Sequence, residues 1–299
     1  MPPFFMLQKS DKKSYLFAAL AILAWSSVST AFKLSLNHLT PEGLLLVSAL
    51  CASTFLILFR VIAKVKSKYS FKENLKKSLL PALLNPFIYY LVLFEAYNRL
   101  RAQEAQALNY TWAIVLAILS VIILKEGFRI RDLGALLLSF IGVIIISTKG
   151  RVWDWEFDDI VGTALAAGSS LIWATYWILN MRDEREVIDK LFYNFALGSL
   201  AVIVYILLRR LPLFVAEAQV LKGILGGLYV GIFEMGLTFI LWMKALEYAQ
   251  STARVANMIF LTPFVSLLFI QFALGESVQL ATVIGLSLIV LSNILQKMK

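Results

Sequence analysis

The sequence contains one cysteine, Cys51, and one histidine, His38, among its 299 residues. A single chain can therefore build neither a disulfide framework nor a zinc site from cysteine and histidine. One histidine also leaves little scope for a Ser-His-Asp hydrolase, and no glycine-rich phosphate loop is evident. These shortages argue against an enzyme, a cofactor and a bound metal ion.

Charged residues are scarce as well. They make up 16% of the chain, whereas 60% is hydrophobic and the mean hydropathy is +0.79. Soluble domains contain about half apolar and a quarter charged residues, so this balance predicts an integral membrane protein. The apolar segments are long, whereas a membrane β-barrel has short alternating strands, so we expect an all-α protein.

The net charge of +9 has two interpretations. A strongly basic chain can bind nucleic acid, but here lysine and arginine cluster in short loops between apolar runs, where they set the orientation in a membrane. We therefore expect the lipid bilayer, and no nucleic acid, as the partner.

The apolar runs predict ten transmembrane helices, each long enough to cross a hydrocarbon core of ~30 Å at ~1.5 Å per residue. The first run follows three lysines, as in a signal peptide, but at 22 residues it exceeds the ~7–15 of a signal h-region and lacks a convincing cleavage site. The predicted ranges are 15–36, 41–63, 78–99, 102–124, 130–148, 159–180, 187–208, 220–244, 253–273 and 279–296.

The loops predict an orientation. With the N-terminus inside, the inner segments hold 19 lysines and arginines and the outer loops hold 7. The stretch from Arg60 to Lys77 alone supplies seven of the inner set. The prediction is a multi-pass protein of the cell (plasma or inner) membrane with both termini cytoplasmic.

A break from Thr148 to Asp159 divides the helices five and five, and Trp153 and Trp155 within it are expected to be interface anchors. Four landmarks recur on either side. Trp25, Lys33 and Ala96 precede Glu126 by 101, 93 and 30 residues, and Trp173, Arg182 and Ala245 precede Glu276 by 103, 94 and 31. We interpret 14–148 and 159–296 as two repeats of five helices, one transport unit. Because five is odd, the second repeat enters the membrane from the opposite side, as in secondary transporters whose site lies between halves.

Several aromatic residues lie near the middle of their predicted helices, far from the interfaces where aromatic belts form: Trp25, Tyr89, Tyr90, Trp112 and Trp173. They either line a substrate cavity or fill gaps between helices, since a buried Trp or Tyr needs a partner for its polar group.

Polar residues accompany the aromatics. Asn85 and Pro86 interrupt the third predicted helix, where Pro removes a backbone donor and Asn could replace hydrogen bonds, and Asn109 precedes Tyr110 and Trp112. Glu234 is the one carboxylate near the predicted bilayer centre. It binds a substrate amine, carries a proton, or is a protonated carboxyl bonded to a neighbouring helix. We predict a substrate site formed by Trp25, Asn85, Tyr89, Tyr90, Asn109, Trp112, Trp173 and Glu234.

Two further patterns concern packing. Lys33 and Glu95, both near the outer ends of their helices, either pair with each other or reach separately toward the interface. Gly223, Gly227 and Gly231 form a small-residue stripe that suits packing within the chain better than dimerisation, so we expect a monomer.

The five-plus-five pattern, the Trp25–Lys33 spacing, the Leu-x-Glu endings at Glu126 and Glu276, and Thr262-Pro263-Phe264 together resemble the EamA branch of the drug/metabolite transporter superfamily. The aromatic set, with Asn109-Tyr110-Thr111-Trp112, is similar to the YddG-type aromatic amino-acid exporters. This resemblance implies that the aromatics line a central cavity and that the protein exports aromatic or other neutral amino acids, or bulky organic cations.

The sequence thus predicts a secondary transporter that exports small amphipathic metabolites by alternating access. Three alternatives stay open: an exporter of other metabolites, organic cations or drugs; a membrane-embedded enzyme or lipid-handling protein; and a passive channel. An enzyme would need a polar catalytic cluster, and the sequence places only Glu234 at depth.

Overall fold

The computed structural model describes residues 10–65, 67–124, 130–151, 159–215, 219–250, 255 and 258–297. Glu126, Trp153 and Trp155 lie outside these ranges, so their predicted roles stay predictions. The described residues are almost entirely helical, with one isolated antiparallel bridge between Leu39 and Phe214.

The helices follow the predicted apolar runs. They are α1 (Asp11–Leu36), α2 (Pro41–Ile62), α3 (Phe71–Ala82), α4 (Tyr89–Arg99), α5 (Ala102–Asn109), α6 (Trp112–Leu124), α7 (Ile130–Ser147), α8 (Ile160–Arg182), α9 (Val187–Arg209), α10 (Val220–Phe233), α11 (Leu237–Tyr248), α12 (Thr262–Leu274) and α13 (Leu280–Lys297). A π-helical segment, Leu83–Ile88, joins α3 to α4, and a 3-10 turn, Met258–Leu261, precedes α12.

Several helices begin at the residue types that satisfy free backbone N–H groups. Ser10 accepts from the N–H of Lys13 at the start of α1, Thr40 accepts from Gly43 before Pro41 in α2, and Ser70 forms a reciprocal capping box with Glu73 in α3. Such caps fix the helix starts, which is why α2 begins at its predicted residue.

Six spans in the described part of the chain are long and apolar enough to cross a membrane. They are Asp11–Leu36, Pro41–Ile62, Phe71–Arg99, Ala102–Ile123, Val187–Arg209 and Val220–Tyr248. The shorter apolar helices are Leu133–Ile146, Met258–Leu274 and Leu280–Ser292. The chain is therefore a multi-pass α-helical membrane protein, while the number of ten crossings stays a prediction.

Three predicted helices contain breaks that the sequence analysis did not place. The 102–124 run is interrupted at Tyr110 and Thr111, and the 220–244 run is interrupted between Glu234 and Gly236. The 253–273 run contains the 3-10 turn. Only the interruption of the third helix was expected, and there Asn85 has non-helical dihedral angles of φ −144° and ψ 119°.

The glycine stripe packs inside the chain, as expected. A Cβ at Gly231 would lie 2.6 Å from both the carbonyl oxygen of Ser48 and Cβ of Cys51 on α2. Because a real Cβ cannot approach that closely, glycine is required for α10 to contact α2 at this distance. In the same way, Gly142 and Gly285 allow α7 and α13 to approach, since a Cβ at Gly142 would lie 2.6 Å from the Gly285 oxygen.

The two ends of the bundle can be named by the contacts found there. At the Leu39 end, the N–H of Thr40 donates to Leu213 and that of Val215 donates to His38, which links the end of α1 to the loop before α10. At the opposite, Ser10 end, the N–H of Ser10 donates to Tyr248 and the N–H of Gln250 donates to Asp11 Oδ1.

Candidate functional site

A cavity of about 320 Å³ lies between α1, α4, α5, α6, α8 and α11, close to the helix breaks at Tyr110, Glu234 and Thr262. Its volume is near the lower limit of small-molecule pockets, which measure about 300–1,000 Å³. Broken membrane helices leave backbone groups unpaired, so they are tolerated where they border a cavity. The coincidence of three breaks with one cavity marks it as the candidate site.

Six of the eight predicted site residues line this cavity: Trp25, Tyr89, Asn109, Trp112, Trp173 and Glu234. The sequence analysis did not assign several other lining residues to a site: Ser29, Phe32, Tyr97, Gln106, Tyr110, Trp177, Phe239, Trp242, Ile259 and Thr262.

Aromatic rings form two walls of the cavity. On one, Trp25 of α1 lies with its ring centroid 5.7 Å from those of Phe239 and Trp242 on α11. On the other, Trp173 of α8 stacks on Tyr89 of α4 at 4.7 Å, with 25° between the ring planes. Phe239 and Trp173, 6.5 Å apart, connect the walls. The rings therefore contact one another and also face an open volume, where an apolar or cationic ligand can pack.

Glu234 brings a carboxyl group into this aromatic cavity. It follows the last residue of α10, and its N–H still donates to the Val230 oxygen, so the side chain projects from the break before α11. The Thr238 hydroxyl donates to the Phe233 carbonyl and compensates for part of the lost helical bonding. Oε1 of Glu234 accepts a hydrogen bond of 3.0 Å from the Tyr90 hydroxyl.

Tyr90 lies behind the cavity wall. It is fully buried, and its hydroxyl reaches the site only through Glu234. Its ring is not part of the cavity lining, where the neighbouring Tyr89 lies instead, and the two rings meet edge to face at 4.8 Å. The contact of Tyr90 with substrate stays a prediction. Tyr90 instead holds the carboxyl group of Glu234.

Asn85 does not reach the cavity either. It is fully buried in the π-helical segment, beside Pro86, which packs so closely on α9 that a Cβ at Gly198 would lie 2.4 Å from Pro86 Cδ. The replacement hydrogen bonds expected of Asn85 are not formed, since its side-chain oxygen and nitrogen have no partner among the described residues. Asn85 is not among the residues that line the cavity, and its contact with substrate stays a prediction.

Asn109 lies at the end of α5, where helical bonding stops. Its Nδ2 donates to the Ser169 hydroxyl at 2.8 Å, and its Oδ1 accepts from Tyr89 at a longer 3.4 Å. The adjacent hydroxyls of Thr111 and Ser170 lie 3.0 Å apart. These bonds tie the α5–α6 break to α8 and fix the amide at the cavity surface.

Charged residues close the bundle above the cavity at the Leu39 end. The Lys33 ammonium donates to the carbonyl oxygens of Tyr97 at 2.7 Å and Leu100 at 2.6 Å. The suggested pair between Lys33 and Glu95 is absent, because Glu95 instead pairs with Arg99 one turn later at 2.7 Å. Lys33 therefore satisfies the last carbonyls of α4, the position where a cation is favoured by the helix dipole.

Gln103 and Glu276 link the two halves at the same end. Glu276 Oε1 accepts from the N–H of Ala102 at 3.1 Å, at the start of α5. The fully buried Gln103 donates to the Ser277 carbonyl at 2.9 Å and accepts from the N–H of Gln279 at 2.9 Å. The hydrogen bonds of Gln103 and the partly buried Glu276 therefore form a clasp between the start of α5 and the segment 276–279.

At the Ser10 end, a second polar network surrounds the loop before α9. Arg185 bonds both oxygens of Asp183 at 2.7–3.0 Å and the Ser78 hydroxyl at 2.8 Å. Burial of the Asp183 carboxyl raises its pKa, but the hydrogen bonds and positive charge of Arg185 outweigh that effect, and the pKa lies below its ordinary value. No group of three or more histidine, cysteine, aspartate or glutamate residues in the described ranges could hold a metal ion.

The sequence was compared with protein families and with curated proteins, and the matches are all to transporters. The model of the EamA-like transporter family matches residues 12–148 and 160–296. An uncharacterized transporter of Archaeoglobus fulgidus is 29% identical over 279 residues, which cover 92% of this chain and 94% of that protein. An uncharacterized transporter of Clostridium kluyveri is 25% identical, with 95% and 93% covered, and the transporter YvbV of Bacillus subtilis is 24% identical, with 96% and 92% covered.

A solved crystal structure has a similar fold. It superposes with a TM-score of 0.62 over 96% of this chain and 97% of the other, at 18% identity. At that identity the likeness shows the fold alone.

Proposed function

Because the chain belongs to the EamA-like transporter family and is therefore a multi-pass membrane transporter, we propose that it exports small amphipathic metabolites, with aromatic and neutral amino acids as the leading class. The observation that carries this proposal is the central cavity, whose lining combines Glu234 with two aromatic walls. Ring faces bind an apolar side chain, and a carboxylate binds an ammonium group.

The charged residues in the lining of the central cavity limit the classes of substrate that it can bind. Among the described residues that line the cavity, Glu234 is the one ionisable group besides tyrosines, and no lysine, arginine or histidine is present. A substrate with a positive group is therefore favoured both by Glu234 and by the electron-rich ring faces. The carboxylate of an amino acid would rely on neutral donors such as Gln106 and Asn109.

The same observation favours a second candidate. Organic cations and amines without a carboxylate would satisfy Glu234 and the aromatic walls, and they would make no demand on a cationic side chain. Both candidates share the ammonium group, so they differ only in whether a substrate carboxylate is tolerated or required.

The proposed mechanism is alternating access of two inverted halves, residues 14–148 and 159–296. In support, the cavity is built from both halves, and a helix break in each half reaches it, at Tyr110 and at Glu234. Opening toward the Leu39 end would require the contacts of Gln103, Glu276 and Lys33 to separate, since they join α1, α4 and α5 to the segment around Ser277.

The test is counterflow in proteoliposomes preloaded with one of three matched compounds: tryptophan, tryptamine or indole-3-propionate. In each case the measurement is uptake of the same compound in labelled form. The first proposal expects counterflow of tryptophan and none of indole-3-propionate, which lacks the ammonium group. Counterflow by tryptamine alone would select the organic-cation candidate. Activity of indole-3-propionate equal to that of tryptophan would refute the role of the ammonium group in either version.

The same vesicles separate a carrier from a channel. A carrier saturates with substrate and shows faster uptake when substrate is present on the opposite side, whereas a passive pore shows neither. Linear, unstimulated flux would contradict alternating access.

A further inference from the structure

A second cavity of about 680 Å³ lies between α1, α10 and α12, near the Leu39 end of the bundle. Its lining residues include Thr30, Leu34, His38, Lys222 and Phe269, none of which contributes to the central cavity. The proposed transport cycle makes no use of this space.

The inner wall of the second cavity is polar. The hydroxyls of Ser27 and Tyr229 are hydrogen-bonded to each other at 2.6 Å, and the Ser35 hydroxyl donates to the Ala31 carbonyl. Thr30 differs from them. Its side chain lines the cavity and is 6% exposed, but its hydroxyl has no hydrogen-bond partner. A buried hydroxyl without a partner is unfavourable, and a threonine hydroxyl can take more than one χ1 position in a helix, so Thr30 can donate to a ligand oxygen.

The outer rim of the cavity is apolar. Leu34, Leu225 and Phe269 are 45%, 56% and 36% exposed and lie on α1, α10 and α12, each within an apolar helix. In a membrane protein such side chains contact lipid tails. The cavity therefore opens sideways toward the bilayer.

A positive charge lies at the end of this opening. Lys222 is exposed in the first turn of α10, forms no ion pair with any described residue, and lines the cavity together with His38. The start of a helix favours an anion through its unpaired N–H groups and its dipole, and a nearby lysine adds to that preference. An apolar trough with a hydroxyl in its wall and a cation at its end matches the order of groups in a phospholipid.

We propose that this crevice binds an anionic phospholipid of the surrounding membrane. One acyl chain lies between Leu34, Leu225 and Phe269, an ester oxygen accepts from Thr30, and the headgroup phosphate lies at Lys222. The site is separate from the central cavity, so the proposal does not depend on the identity of the transported substrate.

The experiment is native mass spectrometry of the full-length protein in detergent, titrated with phosphatidylglycerol or phosphatidylcholine of identical acyl chains. We expect retained phosphatidylglycerol to exceed phosphatidylcholine at least threefold. Lys222→Gln should remove that preference, whereas Arg209→Gln, a change at an exposed arginine of the neighbouring helix end, should not.

Thr30→Val tests the hydroxyl separately, because the ester oxygen is common to both lipids. It should weaken retention of both to a similar extent and leave the headgroup preference unchanged. Thr54→Val is its control, because Thr54 is exposed on α2 and its hydroxyl donates to the Leu50 carbonyl of its own helix.

Three outcomes would overturn the proposal. They are equal retention of the two lipids by the wild-type protein, wild-type behaviour of both Lys222→Gln and Thr30→Val, and loss of bound phosphatidylglycerol when millimolar inorganic phosphate is added. The last outcome would identify a site for a free anion. Size-exclusion profiles of each variant show whether the fold is retained, and Lys222→Gln, at an exposed position, leaves the packed core unchanged.

Discussion

The hydroxyl of Tyr90 donates a hydrogen bond of 3.0 Å to Oε1 of Glu234. Tyr90 belongs to the first half of the chain and Glu234 to the second, at the break between α10 and α11. The bond therefore both fixes the carboxyl group in the cavity and joins the two halves behind it.

Tyr90→Phe and Glu234→Gln should show coupled effects. A hydrogen bond to a charged group contributes about 1.5–3 kcal/mol, and residues in direct contact have non-additive mutational effects. We expect each single variant to lower the thermal stability in detergent and to reduce substrate affinity. The loss of stability in the double variant should be smaller than the sum of the losses in the two single variants. Tyr176→Phe is the control for loss of a buried tyrosine hydroxyl, because Tyr176 lies outside the cavity lining and its hydroxyl accepts a hydrogen bond from Asn194. Strict additivity of Tyr90→Phe and Glu234→Gln would show that the contact makes no contribution.

Glu234→Gln also tests the proton role. If Glu234 exchanges a proton during transport, the pH dependence of flux seen in the wild-type protein should flatten in this variant, because an amide does not titrate. The measurement is initial uptake into proteoliposomes across pH 5–8. Unchanged activity and an unchanged pH profile would dismiss the role of Glu234 as proton carrier.

Trp112→Ala should abolish substrate flux without preventing membrane insertion. Trp112 opens α6 directly after the Tyr110–Thr111 break and lines the cavity, so its ring contributes contact area that alanine cannot replace. The control is Phe272→Ala on α12, because Phe272 is 83% exposed and lies outside the lining of the cavity. Flux is measured in proteoliposomes after equal reconstitution. Normal flux through Trp112→Ala would count heavily against this cavity as the substrate site.

Much of the fold follows from composition and periodicity. The predicted 41–63 and 187–208 helices agree with α2 and α9 to within one residue, because each is a continuous apolar run with polar residues at its ends. The membrane environment strengthens this signal, since every backbone group within it needs a partner inside its own helix.

The helix breaks could not be predicted from the apolar runs. Gly236 and Thr238 lie in an apolar run, and hydropathy alone gives no sign that the helix stops at Glu234. Gly236 has non-helical dihedral angles of φ −123° and ψ −89°, and the Thr238 hydroxyl donates to the Phe233 carbonyl across the break. The break is therefore seen in the structure and not in the hydropathy.

The missed site residues have a related cause. Counting from helix ends places Trp177 five residues before the end of α8 and Trp242 six residues before the end of α11, where tryptophan normally marks the membrane interface. The lining of the cavity extends from the middle of the bundle toward the Ser10 end, where α8 and α11 end, and includes both rings. Depth along one helix cannot reveal which face points inward.

Asp183→Asn should destabilise the protein at neutral pH. The side chain of Arg185 is 1% exposed and that of Asp183 is 13% exposed, so the variant leaves a buried positive charge without its charged partner. The folded-state pKa of Asp183 is depressed, so its contribution is present above the ordinary value of 3.8 and is lost as pH falls through the folded-state pKa. The stability difference between wild type and variant should therefore be largest at pH 6–7 and shrink below about pH 4.

Thermal unfolding in detergent at pH 7 and pH 3.5 measures this difference. Glu184→Gln is the matched control, because Glu184 is the exposed neighbour of Asp183 and the substitution also removes one negative charge. A difference that is the same at both pH values would contradict a charge effect at Asp183 and indicate a loss of packing alone.

Glu276→Ala should favour opening of the cavity at the Leu39 end. Glu276 accepts from the N–H of Ala102 at the start of α5, and loss of such a cap costs about 0.5–2 kcal/mol. If this clasp holds the end closed, a loss of 1–2 kcal/mol shifts the open population about 5–30-fold. The readout is a cysteine at Val28, a buried position in the cavity wall, in a Cys51→Ser background.

A membrane-impermeant maleimide applied from the Leu39 side should label Val28→Cys about fivefold faster or more when Glu276 is alanine. Glu42→Ala, at the same end in the first turn of α2, removes one charge without touching the clasp and should leave the rate unchanged. Gln103→Ala should act in the same direction as Glu276→Ala, because it frees the Ser277 carbonyl and the N–H of Gln279. If both variants lower the thermal stability but leave labelling at the wild-type rate, the clasp is a structural contact and the opening occurs elsewhere.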